Sequence, residues 1–428
     1  MLRVNGRHLR SLHRVNIQRS LTSNAKVWVL SDGGIESSLR AMALGRSLAG
    51  NDSLSLKTVV ASKGLQTLPP ILQKYVVEWT TSKSAQPWYL DAPYNDTLQD
   101  SLPDYLVCSG ANTVSACLHA KKLDKSKKMF SVFAGYPNLP FINFDQVVLP
   151  RYEANFKLGI LSARRTKAWN SLFGIAKLGP LAKQKNCIIT NRPLLGTGIH
   201  KAMLSDALQT FMNSSTNLTA VVVGGHSPQC RWYSEDAALL ADTMRRMVNY
   251  LNTRIIVVFT DRTPPLVKKT IQEGVKAIDD YVYVWDAMEP DVATAERLDI
   301  YESVVQNAKR VILTADLDYA TAHAASWRKP VYVAFGGRCR SYLQHFHQWA
   351  RESRLTRKLR LDRTPRLQAG IDPYSYLGKH MPWNDGWRAL DVDSTMTHVK
   401  NEIEAMRYEK VTGKRRKDEQ SEAVKSKR

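Results

Sequence analysis

The side chains of this 428-residue chain best suited to chemistry sit in three short polar loops, each placed directly after an apolar, β-branched run. Gly224-Gly225-His226-Ser227 follows Val221–Val223, Thr260-Asp261-Arg262-Thr263-Pro264 follows Ile255–Phe259, and Thr314-Ala315-Asp316 follows Val311–Leu313. Loops at the carboxyl ends of buried parallel strands are where open α/β sheets take ligands. The Gly224 and Gly225 N–H groups and the Ser227 hydroxyl could meet a diphosphate, with Arg262 adding a forked positive charge. Thr263, Thr314 and Asp316 complete a candidate nucleotide-sugar cleft. Asp32 and Gly33 join the set, because Asp32-Gly33-Gly34 links a strand to a helix whose amino terminus could hold an anion.

For proton transfer the candidates are Asp316, His226 and His323, since an imidazole titrates near neutral pH and a carboxylate can orient it. Each has a structural rival. His323 lies in the small-residue stretch Ala320–Ala325 and reads equally as a helix-interface histidine. Asp261 and Asp316 stand where acids commonly cap the next helix, and Arg262 could simply bridge loops. His345 and His347 are two apart, so on a helix they face different ways, and no metal site is expected there. The five cysteines form no CxxC or Cys/His cluster, which points to small buried thiols in a reducing compartment.

Alternating strands and helices must position these loops. Lys26–Leu30, Lys57–Ala61, 103–110, Phe130–Phe133, Gln146–Pro150 and Cys187–Thr190 read as strands of a first unit. Strands 219–223, 255–259, 281–285, 311–314 and 331–334 repeat the pattern. This predicts an α/β fold of two Rossmann-like, doubly wound domains facing a cleft, an arrangement of GT-B type. The expected units are a basic arm at 1–25, an amino-terminal domain at 26–200 with an insertion or surface helix at about 154–185, a carboxyl-terminal domain at 201–405, and a basic disordered tail at 406–428.

Composition narrows the setting. No apolar run approaches the roughly 20 residues that cross a bilayer, so membrane contact would be peripheral, to anionic lipid. Arg3, Arg7, Arg10 and Arg14 share one helical face opposite Leu2, Leu9 and Leu12, and no acid precedes Asp32, the pattern of a mitochondrial transit peptide or a basic arm. The net charge of +22 invites a nucleic-acid reading. Much of it sits in the two termini and in the run Arg351–Arg360, read first as a solvated helix face, and no RNA-recognition motif accompanies it.

Asp32-Gly33, Pro103-Asp104 with Ser109-Gly110, Phe144-Asp145 with Pro150, Gly224-Gly225-His226-Ser227, Arg262-Thr263-Pro264, Trp285-Asp286, Thr314-Ala315-Asp316 and Lys329–Val333 occur in that order. The series resembles the mitochondrial-fission ELM ("elongated mitochondria") family. The resemblance implies a GT-B-like fold with no assigned chemistry and a link to fission through recruitment of a dynamin-related GTPase; another mitochondrial protein is an alternative partner, and no cofactor is expected, a nucleotide sugar being at most a substrate. Several positions depart from the family pattern. Leu317 and His323 stand where relatives tend to have Ser and Glu, Asp261-Arg262 replaces a double Arg, and Glu36 and Arg40 replace a Gly and a Gln. Three readings follow: a mitochondrial interaction protein with a degenerate cleft, a glycosyltransferase of GT-B type using a nucleotide sugar, or an RNA- or ribosome-associated mitochondrial protein. The location is the matrix if the arm is cleaved, the outer surface if it is an anchor.

Overall fold

A computed structural model describes residues 25–49, 54–80, 84, 86–94, 96–98, 100–164, 186–196, 204–289, 292–361, 363–364, 369–378 and 386–413. The arm at 1–25 and the segment 165–185 therefore lie almost wholly outside the described residues. In the amino-terminal domain the strands are β1 (Val27–Ser31), β2 (Leu54–Thr58), β3 (Val60–Ala61), β4 (Leu90–Asp91), β5 (Tyr105–Cys108), β6 (Phe130–Ala134), β7 (Gln146–Pro150) and β8 (Cys187–Thr190). Those of the second are β9 (Leu218–Val223), β10 (Arg254–Phe259), β11 (Val282–Asp286), β12 (Arg310–Thr314), β13 (Val331–Ala334) and β14 (Arg357–Lys358).

Two six-stranded sheets result, with orders β2-β1-β5-β6-β7-β8 and β11-β10-β9-β12-β13-β14, and every pair within them is parallel. Parallel strands covered on both faces need apolar side chains on both, which is why β1, β7 and β9 are buried throughout. In β9, Ala220 and Val222 enter one apolar cluster while Val221 and Val223 enter another, following the two-residue period of a strand. The first of these clusters is shared by the domains. It runs from Val27, Val29 and Leu39 through Leu298 and Tyr301 to Val222 and Leu313.

Helices important for the site are α1 (Ile35–Leu48), α2 (Pro70–Trp79), α3 (Val114–Leu123), α4 (Arg151–Arg164), α5 (Asp206–Asn213), α6 (Ser234–Leu251), α7 (Pro265–Val275), α8 (Thr294–Asn307), α9 (Asp318–Ser326), α10 (Ser341–Glu352) and α11 (Val392–Thr412). Four expectations need correction. The strand expected at Lys57–Ala61 is split, because β2 ends at Thr58 and Val60–Ala61 pairs antiparallel with Leu90–Asp91. The segment from 154 is helical as far as Arg164, within α4, but Ala154 and Leu158 are buried, so it is the expected surface position and not the helix that needs correction. The run Arg351–Arg360 is not one solvated helix face: α10 stops at Glu352, Leu355 and Leu359 are buried, and β14 completes the second sheet. The tail boundary at 406 falls inside α11, which crosses back onto α1 and β8 of the amino-terminal domain.

A candidate interdomain site closed by its own side chains

Both sheets change direction beside their first strand, at β1/β5 and at β9/β12, and such switch points open a crevice at the strand ends. In each crevice the structure places an aspartate against a glycine. Asp32 follows β1 and its carboxylate presses on Gly110, whose φ of +96° and lack of a Cβ make room for it. Asp316 follows β12 and presses on Gly224, where a Cβ would collide with the carboxylate.

The loops of the second domain are tied together by the very groups expected to hold a ligand. The Gly224 N–H donates to Thr314 Oγ1 at 2.8 Å, and the Gly225 N–H donates to Asp316 Oδ2 at 2.9 Å. Trp232 Nε1 donates to Asp316 Oδ1 at 3.2 Å. Thr263 Oγ1 accepts from the Thr260 N–H at 2.9 Å and donates to the Val223 carbonyl at 2.6 Å. Arg262 Nη1 donates to the Asp316 carbonyl at 2.9 Å. Ser227 closes a tight turn, its Oγ accepting from the Cys230 N–H at 3.0 Å. Burial pushes the Asp316 carboxyl up, and Arg262 with these donors pulls it back.

The other face of the cleft comes from the amino terminus of α1. Glu36 reaches across so that its Oε1 accepts from the Tyr319 and Ala320 N–H groups, each at 2.9 Å, in the first turn of α9. Its Oε2 lies 3.1 Å from Arg262 Nη1. A helix amino terminus following a strand is a natural anion seat; here a carboxylate of the same chain occupies it. Burial pushes Glu36 above the ordinary carboxylate range and Asp318 adds to this, while Arg262, the Ala320 N–H and Arg40 oppose it. Nearby, the Ile35 N–H donates to Asp261 Oδ1 at 3.2 Å, Tyr152 donates to Asp318 Oδ2 at 2.9 Å, and Arg40 pairs with Glu153 at 3.5 Å while lying over the Tyr319 ring. Thr58 and Thr294 join the domains by a 2.7 Å hydrogen bond, and Arg297 joins them through Tyr94.

The structure thus gathers Gly224, Gly225, Arg262, Thr263, Thr314 and Asp316, with Asp32 near Arg262; Gly33 lies instead against Thr58, Thr294 and Arg297, and two proposed acid/base residues are left out. His226 is exposed beside Tyr233, with ring centroids 5.6 Å apart. His323 is buried on the far side of α9, where Nε2 accepts from Trp327 Nε1 at 3.3 Å and faces Glu302, itself paired with Arg46 at 2.9 Å. Burial first, then Arg46, pushes His323 down to about 3, so it is a neutral interface ring. Among the described residues no three His, Cys, Asp or Glu side chains are grouped to hold a metal ion. Residues 36, 40, 152, 153 and 318 carry the closure, and the only signal for them in the sequence was the departure at Glu36 and Arg40 from the family pattern.

Two Rossmann-like domains meeting at the carboxyl ends of their strands, with the meeting point filled by side chains, define a two-domain α/β protein of GT-B-like build. The chain belongs to the mitochondrial fission ELM1 family, whose sequence model matches residues 38–378. It is 26% identical over 318 residues to the uncharacterized protein RP120 of Rickettsia prowazekii (strain Madrid E), spanning 72% of this chain and 83% of that protein. Solved structures similar to it include the E. coli ADP-heptose LPS heptosyltransferase II (10% identity, 88% of this chain and 99% of that chain, TM-score 0.36). The UDP-GlcNAc 2-epimerase of Methanocaldococcus jannaschii in complex with UDP-GlcNAc and UDP is another (10%, 87% and 99%, TM-score 0.40).

Proposed function

We propose that this protein acts in mitochondrial organisation through protein interaction, as a member of the fission family whose interdomain cleft serves as a structural joint. The observation that carries the reading is Glu36, which takes the α9 N–H groups and the Arg262 guanidinium that an anionic ligand would need. The charge around it supports the same reading. Asp32, Glu36, Glu153, Asp261, Asp316 and Asp318 surround Arg40 and Arg262, so the two guanidinium groups that a diphosphate would need are already engaged by carboxyl groups of the chain itself. A sugar-nucleotide transferase would require these contacts to open.

Recruitment of a cytosolic GTPase requires exposure on the outer surface, with the basic arm at 1–25 as an anchor beside anionic lipid; no helix among the described residues is long and apolar enough to cross a membrane. Protease treatment of intact mitochondria carrying a carboxyl-terminally tagged copy tests this. Digestion before any membrane is ruptured is the expected result. Protection until the inner membrane is opened would place the protein in the matrix and overturn the recruitment reading.

A further inference from the structure

The cysteines look scattered along the chain, yet the fold brings two of them face to face, 109 positions apart. Cys230, in the loop after β9, and Cys339, after β13, form an antiparallel bridge. The flanking hydrogen bonds run from the Arg340 N–H to the Gln229 carbonyl at 2.7 Å and from the Arg231 N–H to the Arg338 carbonyl at 3.5 Å. Cys230 and Cys339 are therefore the close, non-hydrogen-bonded pair of the bridge, whose Cα atoms lie about 4.5 Å apart in regular ladders. That spacing falls within the range a disulfide spans, about 4.4 to 6.8 Å. The two Sγ atoms are 2.9 Å apart and both cysteines are free thiols.

The pair has a base and an entrance. His347 is 6% exposed and its Nε2 donates to the Ala315 carbonyl at 2.6 Å. A neutral ring that donates from Nε2 carries its lone pair on Nδ1, and this buried atom has no hydrogen-bond partner among the described residues. The Cys230 thiol and then His347 hold Cys339 below the ordinary thiol value, whereas burial pushes Cys187 up to about 12. Cys339 and His347 line a cavity of about 200 Å³ whose walls include Arg351, Arg357 and Lys358. Arg351 and Lys358 are exposed, and neither pairs with a carboxylate among the described residues. Asp316 lies on the closed side, next to both thiols.

We propose that Cys339 and Cys230 are a thiol–disulfide exchange site that takes a small anionic disulfide of the glutathione class through this cavity. His347 accepts the Cys339 proton, and the thiolate attacks one sulfur of the incoming disulfide, whose other sulfur leaves as a thiolate. The thiolate of Cys230, its proton lost to the departing thiolate, then attacks Cys339 Sγ. This forms the Cys230–Cys339 bond and expels the second small thiolate, which takes up the His347 proton on release. The protein dithiol is oxidised by two electrons and the small disulfide is reduced to two thiols. Cys108 and Cys117 are fully buried and do not line this cavity, so they stand outside this chemistry.

The test is peptide mapping of the full-length protein, alkylated after exposure to oxidised glutathione, to the cationic disulfide cystamine, or to hydrogen peroxide. Oxidised glutathione should link Cys230 to Cys339 in the wild type and should act about tenfold faster than cystamine, an advantage of the size electrostatic steering gives. The advantage should shrink in Arg351→Ala with Lys358→Ala. Cys230→Ser should retain a single glutathione on Cys339. Wild-type thiols that stay alkylatable in oxidised glutathione, equal rates with cystamine, or linkage by peroxide alone would each overturn the proposal, and none depends on the serine variant folding.

Discussion

Glu36 is the residue on which the cleft turns. Its carboxyl group supplies an acceptor to two backbone donors that would otherwise be stranded at a buried helix end, and a buried donor left without a partner costs about 1–3 kcal/mol. Arg262 has 42% of its side chain exposed, so its share of the pair is discounted for solvent. Glu36→Ala should destabilise the fold by about 3 kcal/mol, read as a drop in the denaturation midpoint without a change of slope; a change under about 0.5 kcal/mol, the size expected of an ordinary surface substitution, would contradict the role given to it. His323 provides a second check, with a definite sign. The ring stays neutral in the fold to about 3, whereas in the unfolded chain it protonates near 6.5. The unfolded chain therefore binds the extra proton first. Stability from the neutral ring is whole above about 6.5 and is lost as the pH falls towards about 3, at up to about 1.4 kcal/mol per pH unit. His323→Gln keeps an acceptor for Trp327 but cannot titrate, so its pH dependence in that window should be shallower; parallel curves would contradict this.

At the scale of elements, α11 decides how the two domains are held. It leaves the second domain and lays Val399 and Ile403, both fully buried, in the apolar cluster that the domains share. Arg407 pairs with Asp104 ahead of β5 and covers the Tyr105 ring, and Lys410 reaches Asp145 ahead of β7 at 2.8 Å. Ending the chain at Leu390 should cost about 4 kcal/mol from those two side chains alone, and urea unfolding of the shortened chain measures it; an unchanged midpoint would show α11 to be a passive appendage. Most of the strands were legible because both-face burial writes them as unbroken Val, Ile and Leu runs, as in Val221–Val223 and Ile255–Val258. α11 was not, because its apolar positions are sparse and its partners Asp104 and Asp145 lie 303 and 265 residues away in sequence. The candidate loops were legible as a set after parallel strands. What the sequence could not convey was that Gly224 and Gly225 spend their N–H groups on Thr314 and Asp316, since that depends on the β9/β12 adjacency. Likewise the chemical partnership of Cys230 and Cys339 exists only once two loops of different strands meet.

Across the whole molecule, a chain of net charge +22 keeps a carboxylate-rich seam between its domains. The seam is coupled to a shared apolar core, so the two domains are packed as well as tethered, and the polar contacts of Glu36, Arg262, Tyr152 and Asp318 seal the crevice that the sheet topology opens. The measurement that tests this most directly is the unfolding midpoint of the full-length wild type against a panel of UDP- and ADP-sugars at saturating concentration. A ligand that occupied the crevice at one hundred times its dissociation constant would stabilise the fold by about 2.7 kcal/mol. With Glu36 in the seat, no member of the panel should move the midpoint. A saturable rise, lost on replacing Arg262 or Asp316 by alanine, would show that the crevice is open to nucleotide sugars and would contradict the account.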